Sequence, residues 1–269
     1  MIVDQAAALL AEQGVETARA DAEWIVAHAL DVRRSELVAL SLEVDDRAVW
    51  PLVDRRARRE PLAYVLGEWG FRRLLLRCDP RALVPRPETE TVVERCIELL
   101  RTSEPQGPPR VLDVGTGTGA IALALADEAG ADVVAMDADA DALALARENA
   151  GRLGLDVEFV HGDLRDGLAP GPFDLVVSNP PYVRADELDA LEPEVRDWEP
   201  RAALVDEGQT QALSALAPSV LAPDGKLVLE VHADHAGEVA TLLRAGGYRD
   251  VTITRDLAGR ERVVEGKRP

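Results

Sequence analysis

From Arg110 almost to its end, this chain of 269 residues alternates short apolar β-type runs with alanine- and leucine-rich helical stretches. That alternation leaves few options: a largely parallel sheet covered by helices on both faces. The pattern predicts strands at 111–114, 132–136, 156–160, 173–178 and 226–231, then near 249–254 and 261–265. Helices are expected at 119–128, 139–152, 208–220 and 234–246, with a long loop after 178. Ligands of such sheets bind beyond the carboxyl ends of the strands. Gly115, Asp137, Asp163 and Asn179 each follow an expected strand end on that one edge.

Val111 to Ala122 reads as a buried strand, a glycine loop and a helix start. Gly115, Gly117 and Gly119 allow positive φ and let a ligand lie against bare backbone, with Thr116 and Thr118 between them. Their Gly-x-Gly-x-Gly spacing departs from the usual dinucleotide fingerprint, although the glycines alone also fit a Rossmann-like turn for another nucleotide. Asp113, at the strand end, is placed to face a cationic amino group. Asp137 closes the second strand about 20 residues on, where an acid accepts from ribose hydroxyls. Asp163 is a candidate acceptor for an adenine amino group, with Leu164 packing on the ring; a plain acidic turn fits Asp163 too.

The strand Phe173–Ser178 runs into Asn179-Pro180-Pro181-Tyr182. Proline lacks an N–H, so the two prolines fix the backbone and leave carbonyls free to accept. A planar –NH2 group can donate to the Asn179 side-chain oxygen and to the Pro180 carbonyl, which draws its lone pair out of conjugation. Tyr182 then packs against the amide or against a sulfonium. An ordinary strand-to-loop turn is the competing reading of the four residues taken alone. Taken with the glycine loop, they select S-adenosylmethionine as ligand and methyl transfer to a planar amine or amide nitrogen as reaction, leaving S-adenosylhomocysteine. No metal is called for, since the sulfonium is already an activated leaving group and positioning does most of the work.

Charge opposes a nucleic-acid substrate: 30 Lys and Arg against 49 Asp and Glu give −19, a field that repels phosphates. The basic runs Arg55–Arg59 and Arg72–Arg73 are the exceptions; the first is expected to be a solvated face closing a helix. Hydrophobic residues make up 47% of the chain, too many for disorder, and no apolar run is long enough to span a membrane. The first residues lack the basic segment of a signal peptide. Two cysteines, Cys78 and Cys96, provide no disulfide framework. A soluble, cytoplasmic enzyme is therefore expected, as a monomer.

The first 65 residues carry no cofactor motif. Ile2, Ala6, Leu9, Leu10 and Gln13 lie near helical spacing, as do Trp24, Ile25, His28 and Leu30, with His28 expected to pack on its helix. The pattern runs to about Arg59 and predicts a bundle of about four short helices, broken at Pro61 and Gly67. Leu74–Cys78 is expected to be half of a hairpin, and Ser103–Pro109 a loop. The resulting domains are a helical substrate-recognition domain at 1–65, a hairpin linker at 66–84 and a catalytic domain at 85–269. Asp137 to Glu148 imitates a calcium loop but has Ala142 where the turn needs glycine. Asp139 and Asp141 are better explained as acids at a helix start. His232 and His235 lack the partners of a metal site, and Glu207-Gly208-Gln209 reads as an ordinary helix start.

Two further segments resemble a known family. Pro85-Arg86-Pro87-Glu88-Thr89-Glu90 and Glu60-Pro61-Leu62-Ala63-Tyr64-Val65-Leu66-Gly67 look like signatures of the protein-(glutamine-N5) methyltransferases of the HemK or PrmC type. Glu199–Leu204 fits as well, and Arg255–Val264 is similar to that family's last hairpin. The resemblance implies an α/β fold: a seven-stranded, Rossmann-like class I methyltransferase sheet behind an N-terminal helical bundle. It implies S-adenosylmethionine as cofactor, peptide chain release factors as protein substrates, and the glutamine of a Gly-Gly-Gln motif as target. Arg72, where an aromatic is usual, and His232, where glycine is usual, depart from the pattern. Nucleic-acid amino methyltransferases share the tetrapeptide, and enzymes acting on a ribosomal-protein glutamine are closer still. A non-enzymatic module on this fold would be expected to have lost Asn179 or a glycine.

Overall fold

The computed structural model describes residues 2–39, 46–102 and 107–269. The expected loop at 103–109 is therefore seen only from Gly107, and the part of the expected helical run at 40–45 lies outside the described residues. The chain forms two compact units: Met1–Trp69 with Leu191–Trp198, and Gly70–Ala190 with Glu199–Pro269.

The first unit holds α1 (Ile2–Glu12), α2 (Ala18–Ala29), α3 (Asp46–Ala57) and α4 (Leu62–Leu66). Ala6 and Leu10 of α1, Ala22, Ile25 and Val26 of α2, and Val49 and Val53 of α3 close one core with Val15 and Val65. These are stripes at three- and four-residue spacing, as amphipathic helices require. The face of α2 is turned one step from the expected one. His28 is exposed, Gln13 likewise, and Trp24 is 43% exposed with the Arg34 guanidinium over its ring at 5.5 Å. Pro61 and Gly67 frame a helix instead of only ending one: Pro61 precedes the first turn of α4, and Gly67 caps it at φ 77° in the left-handed region.

The arginine run that closes α3 is not a solvated face. Arg56 is buried and pairs with Asp21 and Glu194, each at 2.7 Å, while Arg59 reaches Glu194 at 2.6 Å. Arg55 donates to the buried Glu60 carboxylate and to the carbonyls of Tyr64 and Val65. Burial makes such cations depend on their partners. Three arginines that look available in the sequence are thus spent on internal acids.

The hairpin of β1 (Glu68–Phe71) and β2 (Leu74–Arg77) carries the chain from one unit into the other. At its tip Arg72 sits at φ 52° and donates to Glu128 and Glu94 at 2.6 and 2.8 Å, which consumes the residue that departs from the family pattern. Next comes α5 (Thr89–Arg101), an element the expectations leave unassigned although Val92, Val93, Cys96, Ile97 and Leu100 bury a helical stripe. The alternating body follows as β3 (Arg110–Val114), α6 (Ala120–Ala129), β4 (Asp132–Asp137), α7 (Ala140–Leu153), β5 (Glu158–His161) and β6 (Phe173–Ser178). The expected long loop contains two single-turn helices, α8 (Pro193–Arg196) and α9 (Arg201–Leu204). Last are α10 (Gln209–Val220), β7 (Leu221–Glu230), α11 (Ala236–Ala245), β8 (Arg249–Arg255) and β9 (Glu261–Lys267).

Seven strands form one sheet in the order β5-β4-β3-β6-β7-β9-β8, parallel from β5 to β7 and antiparallel at β9 and β8. Successive strand residues serve opposite faces. Val111, Val133, Leu175, Val177 and Val228 pack with α5 and α6, whereas Leu112, Val134, Val176, Leu227 and Leu229 pack with α10 and α11. Both faces are covered, so the strands read as nearly continuous apolar runs. The strand order reverses between β3 and β6, the position where open α/β sheets leave a crevice. Asn149 of α7, fully buried, accepts from the Arg77 N–H at 2.7 Å and donates to the carbonyls of Arg77 and Thr118.

Candidate active site

A cavity of about 1100 Å³ opens at that crevice. Gly115, Thr116, Gly117, Thr118, Asp137, Asp163, Leu164, Asn179, Pro180 and Pro181 all line it. Ten positions chosen from four separate stretches of sequence therefore meet on one surface. The register explains why: Val114 lies beside Met136 on one side and Ser178 on the other, so the loops after β3, β4 and β6 leave the sheet together. Ser178 donates its hydroxyl proton to the Val114 carbonyl at 2.6 Å, which ties the two central strand ends.

The glycines have separate tasks. Gly115 (φ 73°) would put a Cβ into open space within the cavity wall, so bare backbone is what a ligand meets there. Gly119 (φ 85°) does not line the cavity. A Cβ on it would come within 3.0 Å of Leu123 Cδ1 and 3.3 Å of Ala146, so its smallness serves the packing of α6 on α7. Asp137 accepts from the Gly117 N–H at 2.9 Å and from the Asp139 N–H at 3.0 Å. It thereby anchors the loop from the cavity lining; burial lifts its pKa above the ordinary value.

Asp113 is not a ligand-facing carboxylate. It is fully buried beneath the loop, where one oxygen accepts from the Thr116 hydroxyl at 2.6 Å and the Ala122 N–H at 3.2 Å, and the other has no partner. Desolvation pushes it up to about 7. The glycine loop therefore rests on this acid, which the spacing alone places in the ligand's path. Asp139 caps α7 by accepting from the N–H groups of Asp141 and Ala142, and Asp163 caps the turn at Leu164–Asp166 in the same way.

Asn179 is half-buried, with its side-chain nitrogen 3.4 Å from the Thr89 hydroxyl oxygen. Tyr182 does not line the main cavity. It borders a neighbouring one of about 240 Å³ with Glu230, His232 and His235, its ring 6.1 Å from that of His232. Burial lifts the Tyr182 hydroxyl to about 12, so it stays protonated. Glu230, at the end of β7, is buried and pushed up to about 7 by desolvation.

Further cavity wall comes from residues whose placement is not legible as local pattern. Val84, Pro85, Arg86 and Thr89 line it, as do Pro200–Ala203 and Glu207–Gln209, so the helix start before α10 is also a cavity edge. The buried Glu199 carboxylate accepts from Arg86 at 2.5 Å and from the Val84 N–H at 3.3 Å. The tail hairpin joins the same block through Arg260 and Glu88 at 2.7 Å. His161 lines the rim, with Nε2 3.0 Å from the Ala138 carbonyl oxygen.

Residues 2–67 match the PrmC N-terminal domain family, and residues 96–195 match the methyltransferase small domain family. The chain is 42% identical to the release factor glutamine methyltransferase of Deinococcus radiodurans, covering 99% of this chain and 97% of the relative. It is 40% identical to the protein of that name from Caulobacter vibrioides, covering 96% and 92%. A methyltransferase structure from Pyrococcus furiosus, 21% identical, superimposes with a TM-score of 0.55 over 80% of this chain and 98% of the other, which bears out the fold. Likeness at this level across both units places the chain among known proteins: it belongs to the family of release factor glutamine methyltransferases.

Proposed function

We propose that this protein transfers the methyl group of S-adenosylmethionine to the side-chain nitrogen (N5) of the glutamine in the Gly-Gly-Gln motif of peptide chain release factors. The observation that carries the reading is the meeting of the glycine loop and the Asn179–Pro181 segment on one cavity at the strand-order reversal. The residues present fit the cofactor: a bare-backbone cradle at Gly115, an acid on the rim at Asp137 and an apolar wall at Leu164. S-adenosylmethionine supplies a methyl group already activated on a sulfonium.

The chain's own residues orient and exclude water. Asp137 accepts from ribose hydroxyls, and Asp163 and Leu164 receive the adenine. The Asn179 side-chain oxygen and the Pro180 carbonyl each accept one hydrogen of the glutamine –NH2, so its nitrogen lone pair turns toward the methyl donor. Pro181 keeps that turn rigid. Tyr182 acts from beside the site, holding the tetrapeptide against His232. The amide nitrogen sheds its proton after attack, when it has become cationic. Positioning of this kind carries much of the rate enhancement in such displacements.

The helical domain at 1–65 is assigned to recognition of the intact protein substrate, followed by a hairpin linker at 66–84 and a catalytic domain at 85–269. A net charge of −19 favours a basic protein over nucleic acid, and the spending of Arg55, Arg56 and Arg59 on internal acids supports this. Among the described residues no helix is long and apolar enough to cross a membrane, and the proposed site of action is the cytoplasm, as a monomer. The test is incubation with labelled S-adenosylmethionine and, separately, release factors, ribosomal proteins and nucleic acid. Label on the Gly-Gly-Gln glutamine is expected. Label confined to ribosomal protein or nucleic acid would overturn the proposal.

A further inference from the structure

The tetrapeptide is short of backbone donors. Pro180 and Pro181 have no N–H, so neither can tie the turn down through its own amide. Among the described residues, the first backbone N–H after Asn179 with a backbone partner is that of Val183, which donates to the Leu204 carbonyl at 3.0 Å. The Asp206 N–H in turn donates to the Val183 carbonyl at 2.9 Å, so Val183 and Val205 form a parallel bridge outside the named strands.

Val205 lies near the end of a strap. The chain re-enters this unit at Glu199, after Leu191–Trp198 of the other unit, and Pro200–Ala203 and Val205 then line the main cavity. The strap begins at the Glu199 side chain, whose two oxygens accept from the Val84 N–H at 3.3 Å and from Arg86 at 2.5 Å. With a donor on each oxygen, this buried side chain acts only as an acceptor. At the other end Asp206 accepts from the Gly208 N–H at 2.8 Å, which turns the chain toward α10. One short segment thus ties the block around Val84 to the residue that follows Tyr182.

We propose that the Glu199–Asp206 strap positions the Pro180 carbonyl for methyl transfer, with Glu199 as the positioning residue that anchors it. This rests on the proposed function, in which that carbonyl accepts one hydrogen of the substrate –NH2. The ladder of β6 holds the turn at Ser178, and the bridge at Val183 holds it on the far side. A carbonyl between two proline rings keeps its direction only if both sides are fixed. The helix within the strap, α9, is a single turn, too short to persist without its anchors. Loss of the Glu199 carboxylate frees the start of the strap, and Val205 then loses its register with Val183. A misplacement of about 1 Å at a reacting centre is enough to cost about 10²-fold in rate.

The experiment compares Glu199→Ala and Glu199→Gln with the wild type in the full-length protein, each below its own melting transition. Glu199→Ala should lower the single-turnover rate about 10- to 100-fold, the cost of a small misplacement. The Kd for S-adenosylmethionine should change less than about threefold, because the strap is assigned no cofactor contact. Glu199→Gln keeps an acceptor for the Val84 N–H and should show a smaller loss in the same direction, which carries the test where the alanine variant does not fold. The loss should be equal for intact release factor and for a short peptide containing Gly-Gly-Gln, since it arises at the reacting centre. In NMR spectra recorded without substrate, the ¹³C signal of the Pro180 carbonyl should move and the Val183 amide should exchange faster in both variants. Wild-type rates in the folded variants, a defect confined to intact release factor, or unmoved Pro180 and Val183 signals would overturn the role of the strap. A wild-type protein that fails to label release factor would instead overturn the function, while those two signals would still report on the strap.

Discussion

Arg86 of the main cavity wall and the buried Glu199, 113 residues apart in sequence, meet at 2.5 Å. Each belongs to a segment that marks the family, and their pairing explains why both segments are needed in one place. Glu199 is buried, and burial holds its pKa above the ordinary value even with Arg86 beside it. Arg86→Met should therefore destabilise the protein by about 1–3 kcal/mol, since a buried acceptor loses its charged donor. Adding Glu199→Gln should recover part of that loss in urea titrations. A double variant no better than the single would place the cost elsewhere.

Asn179→Ala should leave cofactor affinity nearly unchanged and lower turnover about 10²- to 10³-fold, as removal of one preorganised transition-state partner does. Calorimetry for binding and single-turnover labelling for rate separate the two effects. Turnover like that of the wild type would remove Asn179 from the reaction.

Asp137 and Asp139 stand two residues apart and should behave differently. Asp137→Ala loses a rim acid that also tethers Gly117, and S-adenosylmethionine binding should weaken by about 1.5–3 kcal/mol. Asp139→Ala loses the cap of α7, which should cost about 0.5–2 kcal/mol of stability and leave affinity alone. The reverse result in calorimetry would shift the site by two positions.

Asp113 makes the protein's stability depend on pH. Its pKa is raised to about 7 in the folded state, against an ordinary value of 3.8. The folded protein thus holds a proton that the unfolded chain has released. The associated stabilisation is complete below the ordinary value and is lost as pH rises through about 7. Glu230 adds a contribution of the same sign. In Asp113→Asn the fall in melting temperature between about pH 5 and pH 8 should be shallower than in the wild type. Parallel curves would show that this acid does not carry the effect.

Within the first unit, Arg56 is buried between Asp21 and Glu194. Arg56→Met strands two acids and should cost about 3–5 kcal/mol. Calorimetric scans should show a lowered transition that added S-adenosylmethionine does not raise, with methylation of intact release factor lost at that temperature. Full methylation above that transition would separate the first unit from substrate recognition.

What could be read from the sequence follows what is local. Apolar periodicity places β3, β4 and β6 within a residue or so, and the glycine loop and tetrapeptide sit at their ends as strand chemistry requires. Side-chain partnerships across the chain leave no such trace. Nothing in the spacing distinguishes Asp113, beneath the loop, from Asp137 on its rim, or Arg56 inside from Arg58 outside. Thr89 and Glu230 lie at the start of a helix and the end of a strand, where each passes for an ordinary residue of its element. Leu191–Trp198 belongs with the N-terminal helices, which composition could not reveal because the segment is drawn there by the partners of Glu194.

Asn149 has a consequence beyond holding a loop in place. By accepting from the N–H of Arg77 and donating to its carbonyl, its amide does for β2 what a neighbouring strand would do. The hairpin is only two strands wide, so an open edge there would invite a strand from another molecule. A side chain occupying those groups makes self-association through this edge unrewarding at the point nearest the cofactor loop. The same amide thus closes a strand edge and ties it to Thr118 of the glycine loop.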